Sequence, residues 1–345
     1  MADLPLLPHE ATKLLLKKLS SRRMRDVLEK RYGLKGGVKK TLESIGKEYK
    51  ITRERVRQIE NDALKHLGKP ENLAEIAPLV QVIESHIRVS GEVMAQGQLL
   101  SALAETKYHP HLVFLLGVGK PFFDLAESET HHERWTTNKN AAQSMEKIMA
   151  VVVADIQSRK KPLSKEELYE LVSKNAKSIF GTALDPRQCE AYVNTSRLIR
   201  KNPYNEYGLV GWATITPSGM KDKAYTVLAK HGTPMHFKEV AKAIDAASWS
   251  RKRAHPQTVH NELIKDARFV LVGRGLYALR EWGYEPGMVR DVLVSVLKEA
   301  KNSLTREEIA DAVLLKRVVK VPTILLNLQN KTLFKRTEEG KYTLA

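Results

Sequence analysis

The stretch TLESIGKEYKITRERVRQIE, Thr41 to Glu60, decides how the chain begins to fold. Its apolar residues Ile45, Tyr49, Ile51, Val56 and Ile59 recur at helical spacing on either side of a break near Lys50-Ile51. Two short amphipathic helices are therefore expected, crossing through those side chains, with Gly46 as the small residue that lets the backbones approach. Thr52 suits the N-cap of the second helix, because its hydroxyl can accept a backbone N–H that has no helical partner. The pattern is a helix-turn-helix. Arg53, Glu54, Arg55, Arg57 and Gln58 fill the first turn and a half of its second helix, the part that meets the major groove in such motifs.

These residue types suit base reading. Arginine offers paired donors to a guanine edge, glutamine pairs with adenine, and glutamate accepts from cytosine. Lys39, Lys40, Lys47 and Lys65 are better placed as phosphate neighbours, giving affinity without sequence information.

The run from about Arg22 to Leu67 resembles region 4 of bacterial primary-type sigma factors, through VLEKRYGL (Val27 to Leu34), TLESIGKEY (Thr41 to Tyr49) and above all ITRERVRQIENDALKHL (Ile51 to Leu67). That resemblance implies reading of a minus-35 promoter element and docking on RNA polymerase. It places Arg53, Glu54, Arg55 and Gln58 at base-contacting or groove-facing positions and Arg57 beside the phosphates. One departure is Lys50, at a turn position often held by glycine or another residue tolerant of a left-handed conformation.

The composition agrees with a polyanionic partner. The 345 residues carry a formal charge of +17, and residues 1–69 hold 18 Lys/Arg against 9 Asp/Glu. No amphipathic basic helix with aromatic anchors stands out, so nucleic acid is preferred over a membrane surface. At 42% hydrophobic residues the chain can build several cores, and its length predicts two to four domains. A single cysteine, Cys189, excludes an intramolecular disulfide and a cysteine-based zinc site, and reads as a buried small apolar residue. The start MADLP lacks a secretory pattern, and the longest apolar runs, Leu112 to Val118 and Ile148 to Val153, are far short of a membrane span. A soluble, cytoplasmic protein is expected.

Behind the head, one order of elements recurs: a helix, a short segment with Pro or Thr, two further helices, then two apolar strands around a turn. That order is the winged-helix signature. Its clearest copy has helices at Lys223 to His231, Phe237 to Ala246 and Pro256 to about Ala267, then strands joined at Gly273-Arg274-Gly275. GTPMHFKEVAKAI (Gly232 to Ile244), HPQTVHNELIKD (His255 to Asp266) and FVLVGRGLYAL (Phe269 to Leu279) resemble the HARE helix-turn-helix, a winged-helix family that includes the delta subunit of bacterial RNA polymerase. Arg251, Lys252 and Arg253 either approach a phosphate backbone or form a solvated loop; Arg274 at the wing tip is a second DNA candidate. Gln257, Thr258 and Asn261 belong on the exposed face of the third helix.

A shorter copy closes the chain, with helices at Met288 to Ala300, Thr305 to Val313 and Val321 to Asn330 and a hairpin turning near Glu339-Gly340. Degenerate copies are expected in between. One has a helix at Gln98 to Glu105 and His111 to Leu125 as strands; the other has helices at Glu166 to Ser173 and Glu190 to Ile199 and YGLVGWATI (Tyr207 to Ile215) as its strand region. The expected fold is mainly α with small β-hairpin wings, an N-terminal helix-turn-helix followed by a string of winged-helix units. The divisions are 1–69, 70–140, 141–219, 220–284 and 285–345.

No nucleophile elbow, phosphate loop or metalloprotease helix is found. His109, His111, His131 and His132 are read as exposed loop histidines, since no Cys or carboxylate set completes a metal site. The chain is expected to be non-enzymatic, without cofactor or metal, with promoter-like double-stranded DNA and RNA polymerase core as partners. Nothing in it resembles the aromatic-rich sigma region that melts the minus-10 element, and region 4 normally closes a sigma factor. A promoter-reading head on a regulator is expected, ahead of a complete initiation factor. An RNA polymerase accessory protein reading little DNA, or a DNA-sensing component of a restriction-modification system, are the alternatives.

Overall fold

A computed structural model describes residues 3–249, 252–300 and 302–345. The chain divides into two compact units, Met1–Ile199 and Arg200–Ala345. The first opens with α1 (Pro8–Lys17), α2 (Arg22–Tyr32), α3 (Leu42–Tyr49) and α4 (Arg53–Leu67). Local chemistry sets these boundaries. The hydroxyls of Ser21, Thr41 and Thr52 each accept the backbone N–H three residues on, at 3.3, 3.1 and 3.2 Å. Gly33 ends α2 in the left-handed region at φ 70°, and Lys50 ends α3 there at φ 54°. Val27, Ile45, Val56 and Ile59 form the small core between α2, α3 and α4, with Tyr49 and Ile51 at its edge. A Cβ on Gly46 would lie 2.7 Å from the Ile51 carbonyl oxygen, so only glycine permits this turn as built.

Next come α5 (Pro70–Leu73), α6 (Ala77–Val89), β1 (Val93–Ala95), α7 (Gln96–Leu103), α8 (His109–Val118), β2 (Phe123–Leu125) and β3 (Arg134–Thr136). Strand β3 lies between β1 and β2, antiparallel to both, with Thr136 opposite Val93 and Phe123. From α6 onward this is the α–β–α–α–β–β order of a winged helix. His111 to Val118 is helix, not the expected strand. A short run of continuous apolar residues does not distinguish a buried helix from a strand by periodicity. Here Pro110 starts the helix at a first-turn position, and the run is apolar all round because α1, α2, α4 and α7 pack against it. Leu15 of α1, Leu28 of α2 and Leu67 of α4 share one core with Leu79 and Ile83 of α6 and Phe114 of α8. The head and the first winged helix are therefore one hydrophobic body.

Helices α9 (Lys139–Arg159), α10 (Lys165–Phe180) and α11 (Pro186–Thr195) complete the helices of the first unit, and β4 (Ile199–Lys201) and β5 (Tyr207–Leu209) pair as a two-stranded sheet that falls mostly in the second unit. Two capping boxes, Ser164 with Glu167 and Asp185 with Gln188, start α10 and α11. Helix α10 runs to Phe180, beyond the expected Ser173, and α11 ends at Thr195; Ile199 is strand, not helix. In YGLVGWATI only Tyr207–Leu209 is strand, because Gly211 turns the chain at φ 95°. Cys189 is buried in α11, and the third helix lies against β1, with the Tyr192 hydroxyl donating to the Gly91 carbonyl at 3.1 Å.

In the second unit, α12 (Met220–His231), β6 (Met235–His236), α13 (Phe237–Ala246), α14 (Pro256–Lys265), β7 (Phe269–Gly273) and β8 (Leu276–Leu279) give the sheet order β6-β8-β7. This matches the arrangement β1-β3-β2 of the first winged helix. Its core gathers Leu228, Val240, Ile244, Val259, Leu263 and Tyr277. The last module has α15 (Val289–Ala300), α16 (Arg306–Lys316), α17 (Val321–Leu328), β9 (Phe334–Arg336) and β10 (Tyr342–Leu344). Leu304 bridges Tyr342 in place of a first strand, and Gly340 turns the wing at φ 82°. No helix among the described residues is long and apolar enough to cross a membrane.

Candidate nucleic-acid interface

Helix α4 presents two faces of opposite character. Val56, Ile59, Ala63 and Leu67 are buried, whereas Thr52, Arg53, Glu54, Arg55, Arg57 and Gln58 are exposed at its N-terminal end. The outward residues partly pair with each other. Arg55 Nη1 donates to Gln58 Oε1 at 3.0 Å, and Arg57 donates from Nη2 to Glu54 Oε1 at 2.7 Å. The Arg57 hydrogen bond holds the Glu54 carboxyl below its usual range. Arg53 makes no hydrogen bond or ion pair among the described residues. The Thr52 hydroxyl is occupied in capping, accepting from Arg55 N. The first turn and a half thus carries three arginines against one glutamate, opposite the buried Val56 and Ile59.

The lysines assigned to phosphates differ in their freedom. Lys39 is exposed. Lys47 pairs at 3.0 Å with Glu43 on the surface of α3. Lys40 is half-buried and bonded to Glu48, which also takes Lys30 at 2.8 Å. Lys40 is therefore part of a brace. Lys65 is exposed on the last turn of α4.

Two features of the head go beyond the sequence-based site. Arg31 Nε donates to both oxygens of the buried Glu60 carboxylate, at 3.2 and 3.1 Å, and its Nη1 donates to the Lys40 carbonyl at 2.9 Å. This fork ties α2 to α4 and fixes α4 from behind. Arg23 stacks over the Tyr49 ring at 5.0 Å, beside the exposed Arg22, while Tyr49 donates to Asp26. Asp26 and Glu48 together hold Lys30 protonated well above its usual range. The basic N-terminus of α2 was legible only as charge; its proximity to Tyr49 depends on the folded head.

The third helices of the winged modules separate clearly. Apart from Gly117, α8 exposes no residue. Helix α11 buries Ala191, Tyr192 and Val193 but exposes Arg187, Glu190 and Asn194. Unlike α8, α14 also leaves Gln257, Thr258, Asn261 and Ile264 exposed, and α17 leaves Val321 and Leu326 exposed. Lys252, Arg253 and the wing residue Arg274 are exposed, and Arg251 lies outside the described residues.

The histidine reading needs correction. His131 is 7% exposed, because Ser196 bridges it as an antiparallel partner and the flanking backbone is bonded to Thr195. His109 and His111 sit half-buried on α8. Among the described residues, no three His, Cys, Asp or Glu side chains gather with metal-binding geometry.

Comparison with known proteins follows this division of the chain. RNA polymerase sigma factor SigA of Nostoc sp. (strain PCC 7120) is 58% identical over 50 residues, covering 14% of this chain and 13% of that protein. SigA of Lactococcus lactis subsp. cremoris is 52% identical over 48 residues, 14% of this chain and 13% of that protein. RNA polymerase sigma factor RpoD of Neisseria gonorrhoeae is 44% identical over 62 residues, 18% of this chain and 10% of that protein. The chain thus spans only about an eighth of the length of the first relatives it matches. Residues 15–69 match the model of Sigma-70, region 4, and residues 219–282 match that of the HARE-HTH domain, named for ASXL and restriction endonuclease proteins among others. The chain therefore carries DNA-binding helix-turn-helix modules of two kinds.

Proposed function

We propose that the protein is a non-catalytic, DNA-binding transcription regulator that reads a minus-35-like promoter element through α4 and acts with bacterial RNA polymerase. The observation that carries this reading is the free polar face of α4: Arg53, Glu54, Arg55 and Gln58 project from a helix braced by Arg31 and capped by Thr52. In the groove, Arg55 and Gln58 exchange their mutual hydrogen bond for base edges, and Arg57 with Lys39 and Lys47 meets phosphates. Arg274 and the basic connector at Lys252 and Arg253 extend the phosphate contact. The proposed modules follow the divisions 1–69, 70–140, 141–219, 220–284 and 285–345.

The test is binding of the full chain to a minus-35 duplex and to a scrambled duplex over a salt series. A specific preference is expected, and Arg53→Ala or Gln58→Ala relaxes it by about 1–3 kcal/mol. Equal affinity of the native chain for both duplexes would sink the promoter-reading assignment.

A second reading, an RNA polymerase accessory protein, is favoured by α17. Its outward side chains Val321 and Leu326 are apolar, a surface suited to protein and not to phosphate. The last module then contacts polymerase while α4 contacts DNA.

A further inference from the structure

We infer that the corner between α16 and α17 in the last module docks a protein segment rich in Asp or Glu and in Leu or similar aliphatic side chains. Among the described residues fifteen large apolar side chains are exposed, and five of them, Leu314, Leu315, Val318, Val321 and Leu326, fall between 314 and 326. Scattered exposed hydrophobics are ordinary, but a cluster of this kind marks a contact surface. The first four lie on the last turn of α16, the link and the start of α17, and Leu326 follows on the outward side of α17. The module does not need them for its own core, which Val296, Ile309, Val313, Ile324, Leu328 and Phe334 fill.

The same stretch is charged with one sign. Residues 312–337 hold six Lys/Arg and no Asp or Glu. Lys316 is engaged within the fold, bonded to Glu285 and Glu299 at 2.7 Å each, and Arg317 donates to the Gly287 carbonyl. Lys320, Lys331, Lys335 and Arg336 are exposed, and none of them forms an ion pair among the described residues. Lys320 stands between Val318 and Val321, so cation and apolar surface share one corner. A partner that covers the leucines must bring carboxylates with it, because covering an unpaired ammonium is costly.

Other occupants fit less well. Duplex DNA would satisfy the cations but leave the leucines against phosphate and sugar. A membrane surface favours an amphipathic helix with aromatic anchors. This corner instead spreads over two helix ends and a link, and no aromatic residue within 312–337 is exposed. A second copy of the chain, joined through the same patch, would set cation against cation. The inference rests on the second reading above, in which the last module contacts protein, and adds the chemistry of that partner.

Fluorescence anisotropy of labelled peptides with the full chain tests it, using DELLEELLDE, its uncharged counterpart NQLLQQLLNQ and its polar counterpart DESSEESSDE. The first is expected to bind saturably and at least ~5-fold more tightly than either of the others. Leu315→Ser combined with Leu326→Ser should erase that advantage at an unchanged melting temperature, because the two side chains are 80% and 66% exposed. Lys320→Glu should weaken the first peptide and spare the second. Val38→Ser, 89% exposed on the head, should change nothing. Equal binding of all three peptides, or an acidic–apolar preference that survives in the folded L315S/L326S protein, overturns the proposal. Binding of NQLLQQLLNQ as tight as that of DELLEELLDE also overturns it, while leaving the protein-contact reading in place. If the double variant loses affinity only for the scrambled duplex, or only for equimolar phosphatidylglycerol–phosphatidylcholine vesicles, the protein-contact reading falls with it.

Discussion

Helices α4 and α8 make an instructive pair. Each is the last helix of a helix-turn-helix arrangement, the position from which such motifs read DNA. Helix α4 buries one face and leaves Arg53 to Gln58 in solvent; α8 is enclosed by the head and by its own module. Topology alone therefore does not make a recognition helix. What decides is whether a polar face is left uncovered, and α8 has none: Leu112, Phe114, Leu115 and Leu116 point to every side and are all buried. The first winged helix packs against the head that carries α4, whereas α11, α14 and α17 each keep an exposed face.

The largest effect is expected at α8. Phe114→Ala removes a fully buried ring that packs edge-on to Tyr32 at 5.3 Å. A loss of about 3–5 kcal/mol is expected in chemical denaturation, with the α4 signals lost in the same transition. A head that stays folded while the first winged helix melts would show that the two are separate bodies.

A smaller effect is expected inside the head. In Gly46→Ala the new methyl collides with the Ile51 carbonyl, so α3 and α4 must separate, at a cost of roughly 1–3 kcal/mol. Specific DNA binding should fall further than non-specific binding, because the angle of α4 changes while its charge does not. A uniform loss across sequences would mean that helix placement does not control reading. The smallest effect belongs to Lys50→Gly. Relieving a left-handed lysine at φ 54° should stabilise the head by about 1 kcal/mol, visible as a raised melting temperature. An unchanged or lower value would show that Lys50 gains more from its surroundings than its backbone loses.

Much of this was legible in residues 41–60, because a helix-turn-helix is encoded locally. Caps and apolar spacing lie within a few residues of what they control, and Thr41 and Thr52 behave as their chemistry dictates, while Lys50 takes the left-handed turn against its own preference. The second unit was legible for the same reason, with Pro256 and the Gly273–Gly275 turn punctuating α14, β7 and β8. The middle of the chain was not. The apolar run after His109 carries no period that separates buried helix from buried strand, and its cover comes from residues nearly a hundred positions away, such as Leu15.

The sequence by itself determined the type of the modules at residues 15–69 and 219–282, the polar row from Arg53 to Gln58 and the basic charge. Only the tertiary structure decided which third helices remain free, that Arg31 locks Glu60 behind α4, that Lys40 is a brace, and that His131 and Arg134 are buried. The physical reason is range. Capping and helical periodicity act over one or two turns, whereas burial and ion pairing depend on segments that meet only after the chain has folded.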